Sequence, residues 1–286
     1  MNTIGFDTSN YTTSIAAFDG SEGVNCSQLL PVKQGQLGLR QSDALFAHVK
    51  SLPELSGRLF SNVAAESIAA VAVSTRPRAV EGSYMPCFLA GVAQAKLLSD
   101  ALHVPLFEVS HQQGHVAAAL WSAGRMDLMD VPHLAWHLSG GTTDISAGQL
   151  IDRTGQLLEL PFPSGKHLDA LSKGATDKTV FKVKCPGLEF SLSGVQNKVE
   201  QYHRDHGDPA ETAAYALRCV ANAVITATRN AQKQYPGLEV VFSGGVASNS
   251  MLRELTKPLK PVFAVPQYST DNAMGVAILA HRLLEG

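Results

Sequence analysis

Between residues 69 and 110 an apolar run, "AAVAVS" (69–74), is followed by a helix-like stretch, "GSYMPCFLAGVAQAKLLSDALH", and by a second apolar run, "PLFEVS". Strand, helix and strand in that order constrain the chain to an α/β class, because neighbouring parallel strands need a crossover of a dozen or more residues. Ahead of this unit, "TIGFDTSN" and "TTSIAAFDG" read as two strands joined by a polar turn, and "GVNCSQLL" as a third. The chain therefore opens as a β-meander. In "QSDALFAHVKSLPELSGRLF" the residues Leu45, Val49, Leu52, Leu55 and Leu59 recur at helical spacing, and Pro53 must kink or restart the helix.

The second half starts with "HLAWHLSGGTTDISAGQL", two β-like runs about a glycine turn. "TTSIAA" (12–17) aligns with "TTDISA" (142–147), which predicts a duplicated hairpin. A helix follows at 209–234, then "LEVVFSGGV" as a strand entering a Gly-Gly turn, "SNSMLRELTK" as a helix, and "TDNAMGVAILAHRLLEG" as a closing helix capped by Thr270 or Asp271. At 286 residues the chain exceeds a typical single domain, and no low-complexity linker divides it. The reading is two lobes about a tight crevice: residues 1–109, joined by the closing helix 270–286, and residues 110–269.

A composition of 45% hydrophobic and 17% charged residues supports a sizeable core and excludes disordered or fibrous classes. The net charge of −2 provides no global field towards nucleic acid, and the 23 Lys and Arg do not cluster. Any RNA contact is therefore expected to be local or shared with a partner subunit. Cys26, Cys87, Cys185 and Cys219 form no C-x-x-C pair, which argues against a zinc knuckle and a disulfide framework and for a reducing cytoplasmic setting. The opening "MNTIGFDTSN" lacks a basic n-region and an apolar h-region, and no apolar run reaches the roughly 20 residues that span a bilayer, so neither export nor membrane insertion is expected.

Three turns suit phosphate: "DTSNYTT" (7–13), "SGGTT" (139–143) and "SGGVASN" (243–249). Small residues let backbone N–H groups approach an anion and hydroxyls add donors, although any one such turn is more often only a turn. Three of them after successive strands raise the expectation of a ligand site, since strand ends facing one crevice are where α/β proteins bind ligands. In "SHQQGHVAAAL", His111 and His115 stand four apart, so on a helix both imidazoles reach one cation. Zinc proteases use the same spacing as H-E-x-x-H, but here position 112 is Gln, which cannot act as the base. The bland alternative is that His111 caps the helix and His115 is half-buried core. Spacing alone does not supply a third ligand.

"GFDTSN", "SHQQGHVAAAL", "LSGGTTDIS", "GLEFSLSGVQNKV", "VVFSGGVASNSMLR" and "STDNAMGVA", in this order, resemble the TsaD family, formerly called glycoproteases. The resemblance spans most of the chain. It implies the two-lobed actin-like, sugar-kinase and Hsp70 ATPase fold with duplicated ribonuclease-H-like lobes. It also implies transfer of a threonylcarbamoyl group from threonylcarbamoyl-adenylate to N6 of adenosine 37 in tRNA. By position, His111, His115 and Asp271 would hold one divalent iron or zinc ion. Ser139, Gly140, Gly141 and Thr142 would line the phosphates, Gly165 would lie beside the nucleoside, and Gly244, Gly245 and Asn249 would complete an adenine-nucleotide pocket. Lys166 and Asp169 are read as solvated, and Ser191 and Ser193 as facing the crevice by analogy.

Three departures accompany the resemblance. Thr142 replaces the histidine of the family's S-G-G-H-T. The acidic-glycine helix D-D-A-A-G-E-A-F-D-K, which supplies a carboxylate to the ribose, reads as missing before "PFPSG". "GLRQSDALFAHV" stands where P-E-L-A-S-R-x-H is expected, with His48 matching its histidine. The chain therefore reads as a short, divergent paralogue that pairs with itself or with another family member. The alternatives are a carbamoyl or phosphoryl transferase acting on a small molecule, and a catalytically silent scaffold.

Overall fold

The computed structural model describes residues 1–9, 11–32, 39–138 and 145–286. In chain order the elements are β1 (Asn2–Asp7), β2 (Thr12–Phe18), β3 (Gly23–Leu29), α1 (Gln41–Phe60), β4 (Ile68–Arg76), α2 (Leu89–Leu102), β5 (Leu106–Ser110) and α3 (His111–Ser122). They continue with β6 (Leu134–His137), α4 (Ala147–Leu157), α5 (Gly165–Ser172), α6 (Ser193–His206), α7 (Pro209–Gln234), β7 (Val240–Ser243), α8 (Ser250–Thr256), β8 (Val262–Phe263), α9 (Pro266–Ser269) and α10 (Met274–Glu285).

The first compact unit comprises the described residues up to Met129, joined by Gln267–Gly286. Its sheet has the order β3-β2-β1-β4-β5. The meander β1-β2-β3 is antiparallel, and β4 and β5 run parallel to β1. Both faces are covered, which is why β1 and β2 are buried almost throughout rather than alternating. On one face Ile4, Phe6, Ile15, Val71 and Val73 pack with Leu52, Leu55 and Leu59 of α1 and Ala90 and Ala95 of α2. On the other, α10 lies so close to β1 that a Cβ on Gly5 would fall 2.5 Å from the Ala277 nitrogen.

Residues 110–129, expected in the second lobe, belong to this first unit. The reason is a backbone-to-backbone approach of α3 and α10: a Cβ on Gly275 would lie 1.8 Å from the Gly114 carbonyl oxygen. Glycine is required at 275, whereas the nearest atom to a Cβ on Gly114 would be the Val276 Cγ2, at 3.1 Å.

Helix α1 covers the expected 41–60 and runs through Pro53 without a break. Its buried stripe is Ala44, His48, Leu52, Leu55 and Leu59, whereas Val49 is 52% exposed. The periodicity thus located the helix, but its inward face is rotated from the expected one and carries an imidazole.

The second unit, Asp130–Pro266, has a parallel sheet of order β6-β7-β8. Helix α7 is buried along most of its length; Ala216, Val220, Ala223 and Val224 meet Leu150 of α4, Leu168 of α5 and Val195 and Val199 of α6 in one core. The expected second hairpin fails beyond residue 146, where α4 begins instead of a strand. Ser146 starts it with a capping box, its Oγ accepting the Gln149 N–H at 3.1 Å while Gln149 Oε1 accepts the Ser146 N–H at 3.1 Å. This also corrects the reading of a missing helix: "AGQLIDRTGQL" is a helix in front of "PFPSG", resembling A-G-E-x-x-D-K with Gln149 in place of the glutamate and Arg153 in place of the lysine. Among the described residues no helix is long and apolar enough to cross a membrane.

Candidate functional site

Because β1, β4 and β5 are parallel, their carboxyl ends deliver Asp7, Arg76 and Ser110 to one edge of the first sheet, the place where open α/β sheets bind ligands. Ser110, not His111, caps α3: its Oγ accepts the Gln113 N–H at 3.2 Å and Gln113 Oε1 accepts the Ser110 N–H at 2.8 Å. This leaves His111 and His115 in the first turn and a half, with their Nε2 atoms 3.0 Å apart. Asp271 does not cap α10, whose N-cap is Ala273. Instead its Oδ1 lies 3.3 Å from His115 Nε2 and 3.6 Å from His111 Nε2.

Three donor atoms thus form a triangle with sides of 3.0, 3.3 and 3.6 Å. Ligands bound at 2.0–2.2 Å around a tetrahedral ion are roughly 3.3–3.6 Å apart, so the triangle fits one zinc- or iron-sized cation.

Asp7 is a member of this cluster that sequence reading missed. It is 1% exposed, and its two oxygens are committed: Oδ1 accepts the Ser9 N–H at 2.9 Å and Oδ2 accepts His111 Nδ1–H at 2.7 Å. Burial alone would raise the Asp7 pKa, but the charge and hydrogen bond of His111, with the Ser9 bonds, outweigh it and hold it at about 2. Burial would lower His111, but Asp7 and then Asp271 raise it to about 9. His115 is lowered, first by burial and then by the charge of His111. With no cation bound, His111 therefore carries a proton where a metal would sit, and His115 keeps a neutral ring. The Asp7 carboxylate on Nδ1 aims His111 Nε2 at the other two donors, the usual second partner of a metal-binding histidine. "GFDTSN" carried the signal, an acid ending the first strand, but only the β1–β5 pairing places it beside His111.

His48 is fully buried; its Nδ1 pairs with Thr13 Oγ1 at 2.8 Å, and Nε2 has no partner among the described residues. Burial pulls its pKa down to about 4 against the pull of Asp7 and Asp271.

In the second unit Gly244 has φ +88°, and a Cβ there would lie 2.8 Å from the Leu138 backbone, so the turn requires glycine. A Cβ on Gly245 would meet nothing within 4 Å among the described residues. Asn249 caps α8, its Oδ1 accepting the Leu252 N–H at 2.9 Å, while its buried Nδ2 has no partner among the described residues. Gly165 opens α5. Lys166 is exposed as read, but Asp169 accepts the Ser250 N–H and hydroxyl at 3.1 and 2.9 Å and so is structural. Ser191 and Ser193 are exposed and hydrogen-bonded to each other. Asp152 of α4 accepts the Ser164 N–H at 2.8 Å, and burial raises its pKa against that bond. Ser139, Gly140, Gly141 and Thr142 lie outside the described residues.

The family model described as TsaD, tRNA N6-adenosine threonylcarbamoyltransferase, matches residues 34–278. The chain belongs to this family. A relative named as TsaD from Carboxydothermus hydrogenoformans is 32% identical over 268 residues, covering 84% of this chain and 78% of the relative. One from Streptococcus equi subsp. zooepidemicus is 32% identical over 243 residues, covering 76% and 70%. TsaD relatives are thus named transferases, in keeping with Gln112 where a protease needs its glutamate.

Solved structures show the fold. Full-length HypF in its phosphate- and nucleotide-bound form aligns with TM-score 0.63 at 14% identity, over 100% of this chain and 47% of that one. The activator of 2-hydroxyisocaproyl-CoA dehydratase from Clostridium difficile aligns with TM-score 0.54 at 14% identity, over 100% and 96%. The TsaD chain therefore has the actin-like ATPase fold.

Proposed function

We infer that this chain is a metal-dependent transferase moving a threonylcarbamoyl group from its adenylate to N6 of adenosine 37 of tRNA. The observation that carries this reading is the His111–His115–Asp271 triangle, intact in a chain whose family is named for the transfer. His111, His115 and Asp271 would hold one iron or zinc ion, which would supply Lewis-acid polarisation of the acyl donor when bound. The chain's own residues hold the geometry: the Ser110 capping box fixes the first turn of α3, Asp7 fixes the His111 ring, and burial keeps His115 neutral. An adenine nucleotide is held by Ser139, Gly140, Gly141, Thr142, Gly165, Gly244, Gly245 and Asn249 in this reading; the open Gly245 and the spare Asn249 Nδ2 support it. Transfer to an amine demands that donor and acceptor be held in near-attack geometry. With a net charge of −2, the chain meets tRNA in the cytoplasm together with a partner subunit, a second copy or a family paralogue.

The test supplies threonylcarbamoyl-adenylate and an unmodified tRNA transcript, with and without a paralogous subunit, and looks for threonylcarbamoyladenosine by mass spectrometry beside elemental analysis. About one iron or zinc per chain is expected, with metal and product both lost in His115→Ala. Metal without product would leave the second reading, carbamoyl or phosphoryl transfer to a small molecule, which the Gln149 amide at the start of α4 favours. A scaffold would have no need of three converging donors.

A further inference from the structure

In the second unit a strap of irregular backbone, residues 176–187, leads from α5 towards α6 and lies along α7. Hydrogen bonds pin it at three levels of that helix. Near the start of α7 the Glu211 carboxylate accepts the Thr176 N–H at 2.6 Å and the Asp177 N–H at 3.1 Å. Further along, Arg218 Nε donates to the Thr179 carbonyl at 2.9 Å, and Cys219 Sγ accepts the Phe181 N–H at 3.3 Å. Near the end, Asn230 Nδ2 donates to the Cys185 and Gly187 carbonyls at 3.2 and 2.8 Å. At 1.5 Å per residue Glu211 and Asn230 stand about 29 Å apart, so the strap is held extended over that length.

Alternation along the strap decides what it shows to solvent. Val183 is buried in the core of the second unit, with Val180 and Phe181 packed against it, so Lys182 and Lys184 turn outward and both are exposed. Lys178 is exposed as well. From α6, Lys198 sets its Nζ 5.8 Å from the centre of the Phe181 ring, and from α7 the exposed Arg229 stands one residue before the far anchor, Asn230. Counted along the sequence the lysines and arginines do not cluster, but the fold gathers these five from three segments. None of the five forms an ion pair among the described residues. The acids beside them are committed elsewhere: Asp177 accepts the Tyr202 hydroxyl and the Thr179 N–H, and Glu211 holds the strap backbone. Glu189 is the one exposed acid between residues 173 and 192.

We propose that Lys178, Lys182, Lys184, Lys198 and Arg229 form a surface on which the second unit binds the phosphate backbone of RNA. Cations of this kind supply the sequence-independent part of nucleic-acid affinity, and a strap anchored to a helix and a core holds them in place before the ligand arrives. The whole chain carries a net charge of −2, so five unpaired cations on one strap stand out against a more acidic remainder and steer a polyanion to this face. A lipid surface would call for apolar side chains beside the cations. From Thr176 to Lys184 the other exposed residues are Thr176 and Thr179, whose hydroxyls suit phosphate instead. Naming RNA as the polyanion rests on the transferase reading; the phosphate chemistry does not.

The test is fluorescence anisotropy of a labelled, unmodified tRNA transcript with the full chain across a salt series. Five phosphate contacts give a slope of log affinity against log salt of about −3.5 to −4.5. Lys182→Gln combined with Lys184→Gln is expected to make that slope shallower by about 1.4 to 1.8, which over the decade from 1 M to 0.1 M salt is a loss of roughly 25- to 60-fold at 0.1 M. Arginine at both positions should restore wild-type binding. Lys50→Gln with Arg58→Gln makes the same charge change on the exposed side of α1 and should leave the slope as it is. Equal losses in the two glutamine pairs, no recovery with arginine, or no salt-dependent binding by the wild type overturns the proposal. Polyglutamate and phosphatidylserine vesicles serve as competitors, and displacement of the tRNA by either at equal charge concentration overturns the choice of RNA. Binding through the strap without any threonylcarbamoyladenosine keeps the surface and loses the transferase reading. Product formation in a strap variant that binds tRNA as the wild type does keeps that reading and loses the surface.

Discussion

Asp7→Asn is the most informative substitution because two opposed effects of similar size meet there. The asparagine retains one acceptor oxygen where the carboxylate has two, so either the Ser9 N–H or the His111 Nδ1–H loses its partner. Removing the carboxylate behind a metal-binding histidine typically weakens metal affinity by about 10- to 100-fold. Acting the other way, Asp7 is the leading reason that His111 binds a proton up to about pH 9, and a metal must displace that proton. At pH 7 the proton holds a wild-type advantage over the metal of about two pH units, or roughly 100-fold, which Asp7→Asn largely relieves. The net change at pH 7 is therefore small, and at pH 9, where competition ends, the variant should be about 10- to 100-fold weaker. Competition for zinc against a chromophoric chelator from pH 6.5 to 9.5 measures both. Wild-type affinity should climb about tenfold per pH unit and level off near pH 9, while the variant levels off near neutrality. Curves displaced by a constant factor at every pH, or coincident at pH 9, would refute the reasoning.

Further expectations concern stability. His48 has a folded pKa of about 4 against 6.5 when unfolded, so the unfolded chain binds the extra proton between those values. Stability is full above pH 6.5 and falls as the pH drops towards 4, by about 3 kcal/mol in total; urea titrations of His48→Gln should lack that component of the slope. Gly275→Ala drives a methyl into the Gly114 carbonyl and should cost about 3 kcal/mol or more while weakening metal binding, because it separates α3 from α10 and hence His115 from Asp271. If its melting temperature matches the wild type, the close helix approach is wrong. Asp169→Ala removes the acceptor for the Ser250 N–H and hydroxyl and should cost about 1 kcal/mol without touching metal content, read by thermal melting and elemental analysis.

Local pattern determined much of this protein. The apolar runs at 69–74 and 105–110 became β4 and β5, the periodic stretch 41–60 became α1, and 209–234 became α7, because burial against a neighbouring layer selects periods of two and 3.6 whatever that neighbour is. The histidine pair was legible for the same reason, since four residues make about one turn of any helix. What pattern cannot carry is which distant segments meet. Asp7, His111 and Asp271 are more than a hundred residues apart in sequence, and they converge only because parallel pairing sets β1 beside β4 and β4 beside β5 and Gly275 lets α10 lie against α3. The inward turn of His48, the assignment of 110–129 to the first unit and the helix at 147–157 were likewise decided by tertiary packing and capping, where a single methyl or one hydrogen-bonded serine outweighs several residues of propensity.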